Sequence, residues 1–428
     1  MNSSFIKTNL IKEILSSNSV ARFRCVSKRW ASSMTRSSAK PRLLFAIAEN
    51  GDDSAETCGV WSFFSSPQFE NPYEKSSSTL VAAAEFHVKF SPENLRINYY
   101  GDIKYFSIGY ASGLIYIYGC RYQARPLICN PNTGRYAILP NRYTYRKAYS
   151  FFGFDPIDKQ YKALSIRYPS GPGRNKILTF GDGDLTWRKI KFPLGRPEIK
   201  SDGICINGVL YFLGEIGEGS CDYVIVCFDV RSEKFTCIYV GRFCRLINYK
   251  GKLAVIYWED DVDIYEICVY GKDLDEYLEE NLDVDATNEL HLWVLEDVEK
   301  KKWSKYAYTS KYTWSKYAYT WTDDTFFRRH LSIAGATASV EIVFSMRKYT
   351  SKQPFYVFYF NPERNTLQRV EIQGFGEAFK ETCSVRTFVN HVEDLDVNDL
   401  KQLKSVHPPL VEPEYYDRFE SESESELD

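Results

Sequence analysis

The chain has 428 residues, a formal net charge of −2, and 44% hydrophobic and 16% aromatic residues. That near balance of charge excludes a strongly basic nucleic-acid binder, and no apolar run reaches the roughly 18 residues of a membrane span. One large domain with an appendage, or two domains, is expected at this length.

The first elements are short helices. Leu10, Ile11, Ile14 and Leu15 form a small apolar face, and Thr8 or Asn9 is placed to cap its first turn. In Ser19-Val-Ala-Arg-Phe-Arg-Cys-Val-Ser-Lys-Arg-Trp30, Val20, Phe23, Val26 and Trp30 recur at helical spacing, while Arg22, Arg24, Lys28 and Arg29 project elsewhere. A short helix that is apolar on one side is unstable alone and must bury its stripe against something. Residues 1–40 therefore read as a basic helical docking module, closed by the polar stretch Ser32–Lys40 and by Pro41.

From Leu43–Ala48 onward the pattern changes to short apolar or aromatic runs parted by turn signals, as in Leu114–Tyr118, Val209–Leu213, Val224–Phe228, Leu253–Tyr257, Leu290–Leu295 and Phe355–Phe360. Two units recur. One is a turn centred on Gly and followed by a strand, at Ser112-Gly113, Asn207-Gly208 and Lys250-Gly251. The other is a strand ending in Asn or Asp and restarting after a polar turn, at Asn130–Tyr136, Asp229–Phe235, Glu296–Trp303 and Asn361–Leu367. Intervals of roughly 45 to 65 residues, with the Gly unit preceding the Asx unit twice, favour propeller blades over a sandwich. The predicted fold is mainly β: a helical module over 1–40, a β-propeller-like domain of antiparallel sheets over 41–395, and an acidic, solvated tail over 396–428.

Three segments interrupt the pattern. Asp273–Asp285 is acidic and weakly helical, and Glu412–Asp428 alternates Ser with Glu. Trp303–Thr309 and Trp314–Thr320 are identical, a short tandem duplication expected to lengthen one exposed hairpin.

Chemistry is sparse. The 11 Cys are scattered and odd in number, which fits buried thiols in a reducing compartment, and Cys221, Cys227, Cys237 and Cys244 lack zinc-knuckle gaps. His87, His330, His391 and His407 have no partner at ligand spacing, and His291 reads as a packed strand residue. Gly109–Gly113 reads as a hairpin turn, with its Ser one place late for a nucleophile elbow. Gly171–Lys176 lacks the Gly-Lys-Ser/Thr end of a phosphate loop and reads as a basic loop. Asp260–Asp263 and Asp273–Glu276 lack the Gly and Glu of a calcium loop. The expectation is a non-enzymatic, intracellular protein (cytoplasmic and/or nuclear), with no signal peptide, catalytic residue, metal or cofactor.

The two ends of the chain meet in one family. Asn9–Leu15 followed by Ser19–Trp30 resembles the F-box of plant F-box proteins. Ile128–Gly134, Gly153–Lys162, Ile206–Tyr211 and Val226–Phe235 resemble their F-box-associated domain of type 3. The resemblance implies a substrate receptor of an SCF (cullin-RING) ubiquitin ligase, with the S-phase-kinase-associated adaptor and an unknown target protein as partners, and neither nucleic acid nor membrane. Carried over by position, Leu10, Ile11, Glu13, Ile14, Leu15, Val20, Phe23, Val26 and Trp30 would touch the adaptor. Two departures stand out. Lys7 and Asn9 occupy the family's Pro and Asp positions, and only Ser17-Asn18 separates Ser16 from Ser19, about three residues short. A cut of that size rotates the residues downstream by nearly a full helical turn and implies weakened adaptor binding. The alternative is a stand-alone propeller whose F-box has decayed.

Overall fold

The computed structural model describes residues 40–49, 60–70, 80–90, 106–119, 126–140, 148–167, 175–181, 185–194, 198–216, 222–240, 242–258, 290–297, 302–306, 331–364, 366–380, 382–392 and 403. The helices expected over 1–40, the acidic stretch at 273–285 and the terminal Ser/Glu stretch lie outside them.

The described chain is built of strands. It opens with β1 (Arg42–Glu49), β2 (Val60–Pro67), β3 (Leu80–Ala83) and β4 (Glu85–Phe90). Blade 1 comes next as β5 (Phe106–Ala111), β6 (Leu114–Gly119), β7 (Leu127–Cys129) and β8 (Tyr136–Ile138). Blade 2 is β9 (Ala148–Asp155), β10 (Gln160–Arg167), β11 (Asn175–Phe180) and β12 (Arg188–Ile190). Blade 3 holds β13 (Glu198–Ile199), β14 (Ile204–Ile206), β15 (Val209–Ile216), β16 (Asp222–Asp229) and β17 (Phe235–Val240). Blade 4 holds β18 (Arg245–Tyr249), β19 (Lys252–Trp258), β20 (Leu290–Asp297) and β21 (Lys302–Tyr306). Blade 5 uses β22 (Leu331–Ala336), β23 (Ile342–Met346), β25 (Phe355–Asn361) and β26 (Thr366–Gln373), while the short β24 (Lys348–Tyr349) pairs with the last strand. The last strand, β27 (Cys383–His391), pairs with β1 and completes blade 6 in the order β24-β27-β1-β2-β4. These six sheets make a six-bladed β-propeller.

Local chemistry accounts for the hairpins. The turns Ser112-Gly113, Asn207-Gly208 and Lys250-Gly251 have positive φ at both residues, the geometry that matches the twist of a two-residue hairpin. Glycine at the second position removes the Cβ clash there. In the outer hairpins of blades 1, 3 and 5 an Asx side chain folds the turn. Asn130 Oδ1 accepts from the Asn132 and Thr133 amides at 2.9 and 3.2 Å, Asp229 Oδ1 from Ser232 at 2.6 Å, and Asn361 Oδ1 from Arg364 at 2.9 Å.

Large rings fill the gaps between blades. Phe151 of blade 2 stacks on Phe212 of blade 3 with centroids 4.0 Å apart, and Phe152 lies 5.5 Å from Tyr116 of blade 1. Phe45 of blade 6 meets Phe355 of blade 5 edge-on at 5.9 Å. Buried clusters of this kind occupy all six junctions, so the ring is closed by apolar packing.

Two features correct the all-antiparallel expectation and its simple blade order. β3 pairs in parallel with β26, from Leu80↔Val370 to Ala83↔Gln373. Only Ala84 separates β3 from β4, so one extended stretch edges blade 5 and then blade 6. The N-terminal strands are thereby clasped twice by strands from the end of the chain. Leu403, in the stretch read as tail, is buried against blades 1 and 2, and its carbonyl accepts from Arg135 Nη2 at 2.8 Å.

Candidate docking faces

All the residues expected to touch an adaptor, Leu10, Ile11, Glu13, Ile14, Leu15, Val20, Phe23, Val26 and Trp30, lie outside the described residues. What the structure shows is where that segment joins the body. The chain enters β1 at Arg42, which is paired with His391 at the end of β27. The inner strands β5, β9, β14, β18, β22 and β27 all run the same way, so the turns at their C-terminal ends emerge on one face, here termed the turn face, and the join at Arg42 belongs to it.

The turn face is cross-linked from blade to blade. Asp155, at the end of β9, accepts from the Ile157 and Asp158 amides at 3.0 and 3.3 Å and from Arg231 Nε of blade 3 at 3.0 Å. Burial pushes the Asp155 carboxyl up, but the Ile157 amide, the Arg231 guanidinium and the Asp158 amide outweigh it and hold the group below its ordinary value. Lys162 of blade 2 reaches Glu233 of blade 3 at 2.6 Å, and Arg188 pairs with the same carboxylate. Asn207 Nδ2 donates to the Gly251 carbonyl at 2.9 Å and ties blade 3 to blade 4.

His391 locks the seam where the ends of the chain meet. Its Nδ1 lies 3.0 Å from the Tyr110 hydroxyl of blade 1, and its Nε2 lies 3.1 Å from the Asn132 side-chain amide. Beside it, His87 Nε2 is 2.7 Å from Ser65 Oγ, which also accepts from Arg42 Nε at 2.8 Å. Burial first, then the neighbouring His87 and Arg42 charges, lowers His391 to about 3. Burial and then Arg42 lowers His87 to about 4. Both rings are neutral at neutral pH and serve as hydrogen-bonding wedges. Neither is poised as a base near neutrality.

Across the channel, Arg386 of blade 6 bonds Asp202 of blade 3 at 2.9 Å. These blades stand opposite each other in the ring, so the pair spans the central opening. β14 also packs near β5 as well as β9 and β18, which narrows the channel.

The opposite face is organised differently. The strand ends there are joined by the connections 50–59, 91–105, 120–126, 141–147, 168–174, 217–221, 259–289 and 307–330, whereas three of the turn-face hairpins have two-residue loops. Trp303 to Tyr306 of the duplicated heptapeptide lies in β21, and the second copy falls in the link from blade 4 to blade 5, outside the described residues.

Among the described residues no group of three His, Cys, Asp or Glu side chains is arranged to hold a metal. Cys129, Cys205 and Cys227 are strand thiols, as their apolar surroundings predict, and burial pushes Cys205 up to about 11. Cys268 lies outside the described residues.

Residues 42–392 match the family model of the F-box associated β-propeller domain. The chain is 69% identical to the F-box protein At2g16450 of Arabidopsis thaliana, over 97% of this chain and 100% of that one. It is also 69% identical to the F-box protein At2g15640 of the same plant, over 96% and 98%. The chain belongs to the plant F-box proteins with an F-box-associated propeller. In this family member the strings that carried the resemblance are structural: Gly153–Lys162 and Val226–Phe235 supply the Asp155–Arg231 and Lys162–Glu233 locks, and Ile128–Gly134 supplies the turn that meets His391. Sequence reasoning set His391 aside because no ligand stood near it in the chain. Its partners Tyr110 and Asn132 lie 281 and 259 positions away, a separation that leaves no local signal.

Proposed function

We propose that this F-box protein is a non-enzymatic substrate-recognition adaptor of an SCF (cullin-RING) ubiquitin ligase, working in the cytoplasm and/or nucleus. The F-box of residues 1–40 docks the S-phase-kinase-associated adaptor, and the propeller holds a target protein. Catalysis belongs to the ligase, and this chain contributes proximity. The match of residues 42–392 to the F-box associated propeller carries the reading. The topology supports it as well. The F-box segment joins the body on the turn face, while the strand ends joined by the long connections lie on the other, so adaptor and target are held apart. Short capped turns suit a rigid spacer, and long connections suit recognition.

Co-purification tests this. The full-length chain should form a complex with the adaptor at micromolar protein, and Leu15→Ala combined with Trp30→Ala should weaken it by about tenfold or more, since each large apolar side chain is worth roughly 1.5–3 kcal/mol when buried. No complex at that concentration, with the double variant behaving as the parent, overturns the ligase role. The second reading, a stand-alone propeller with a decayed F-box, is favoured by one feature: the shortened Ser17-Asn18 link.

A further inference from the structure

One turn of blade 1 holds two residues from the end of the chain. In the Asn130–Arg135 turn, the Asn132 side-chain amide lies 3.1 Å from His391 Nε2, and Arg135 Nη2 donates to the Leu403 carbonyl at 2.8 Å. The Leu403 side chain enters the apolar junction between blades 1 and 2, where it is 2% exposed. Its cluster joins Ala111, Leu114 and Ala137 of blade 1 to Tyr161, Leu178 and Phe180 of blade 2. Among the described residues, every other buried member of that cluster falls within 111–180. A strand-built junction is thus completed by a side chain that belongs to no strand and follows the last one.

We propose that this junction is a docking site for a leucine-bearing peptide segment, occupied in this structure by the chain's own residue 403, and that the occupant is exchangeable. The contact has two parts, an apolar side chain among packed strands and a main-chain carbonyl on a guanidinium. A main-chain bond gives affinity to any peptide, and an apolar seat gives the preference for one side chain, which is how short segments are recognised. The seat is built without its occupant. β5 pairs with β6, and β10 with β9 and β11, while Tyr161 Oη donates to the Ser112 carbonyl at 2.8 Å and ties the two blades directly. Departure of Leu403 therefore leaves the walls standing. One leucine and one hydrogen bond amount to binding on the order of millimolar from free solution. A tether from His391, held on the same turn, returns the segment at an effective concentration that is also on the order of millimolar. The seat is then filled in the resting chain and open to competition. It lies on the turn face, beside the pairing of Arg42 with His391 where the N-terminal segment joins. The inference stands apart from the ligase reading, since no adaptor enters it.

The test uses the full-length chain with a photo-cross-linking amino acid in place of Lys404, next to the anchor. Irradiation should link position 404 to blades 1 and 2 of the same molecule, as read by mass spectrometry of the monomer. Leu403→Ala should lower the yield by about fivefold and Arg135→Ala by about twofold, since each removes one part of a weak contact. A free peptide of residues 399–407 at about 10 mM should suppress the cross-link by half or more, and the same peptide with alanine for Leu403 should not. Circular dichroism should show both variants folded at the assay temperature. Full yield with Leu403→Ala, or cross-links confined to other blades, overturns the anchor. Full yield in the presence of the leucine peptide, or a Leu403→Ala chain that fails to fold, marks a fixed piece of the core and overturns the exchange. Cross-linked dimers in place of monomers would give the seat to a second copy and also overturn the proposal.

Discussion

The two faces of this propeller are built on opposite principles. On the turn face, the link between β14 and β15 is two residues, Asn207-Gly208, and its neighbours are bonded across blade boundaries by Asp155, Arg231, Asn207 and His391. On the other face, the link between β19 and β20 is the whole of 259–289. The contrast teaches that the fold is secured on the side where the N-terminal segment joins, and that the long chain links leave strand ends on the side away from it. Buried polar groups on the turn face need satisfied partners, so a change there is costly. Lengthening a surface connection costs little, because loop-closure entropy grows slowly with length.

Substitutions grade that contrast from large to small. His391→Ala should be the most damaging, removing the ring's hydrogen bonds to Tyr110 and Asn132 at the seam, for roughly 2–4 kcal/mol by denaturant unfolding. The parent protein should also be acid-sensitive through this ring. Its folded value lies near 3 against an ordinary 6.5, so its contribution is complete above pH 6.5 and is lost as pH falls toward 3. At pH 5 the loss from this residue alone is about 2 kcal/mol, and His87 adds in the same direction. A stability curve that is flat from pH 7 to 5, or one that His391→Ala leaves equally steep, contradicts a neutral buried wedge.

Asp155→Ala should cost less, roughly 1–3 kcal/mol, since the turn amides and Arg231 are left without their acceptor but lie nearer water. If that variant unfolds with the parent, the blade 2–blade 3 lock is ornamental. Deleting Trp314–Thr320 sharpens the other side of the comparison. It shortens only the link between blades 4 and 5, and the unfolding free energy should stay within about 0.5 kcal/mol of the parent. A loss of several kcal/mol would mean that the duplication is part of the packed body.

The resemblance in the sequence was enough to point to the family, and the turn units were legible as well. Ser112-Gly113, Asn207-Gly208 and Lys250-Gly251 stand at the first hairpins of blades 1, 3 and 4, and Asn130, Asp229 and Asn361 fold later hairpins, as their spacing predicted. The aromatic and arginine contacts where blade 3 passes into blade 4 were not legible. Tyr223, Arg242, Tyr257 and Trp293 are scattered over four different segments, and nothing in any one segment marks it.

The sequence by itself determined the hairpin turns and favoured blades over a sandwich, because a turn's geometry is decided within three or four residues by a φ > 0 position and an Asx side chain that bonds its own backbone. Only the tertiary structure decided that there are six blades, that β27 and the β3–β4 stretch close the ring, and that His391, Arg386 and Arg242 gain their partners. Those contacts join residues up to hundreds of positions apart. Their geometry depends on how all the blades pack around one axis, and no local pattern encodes it.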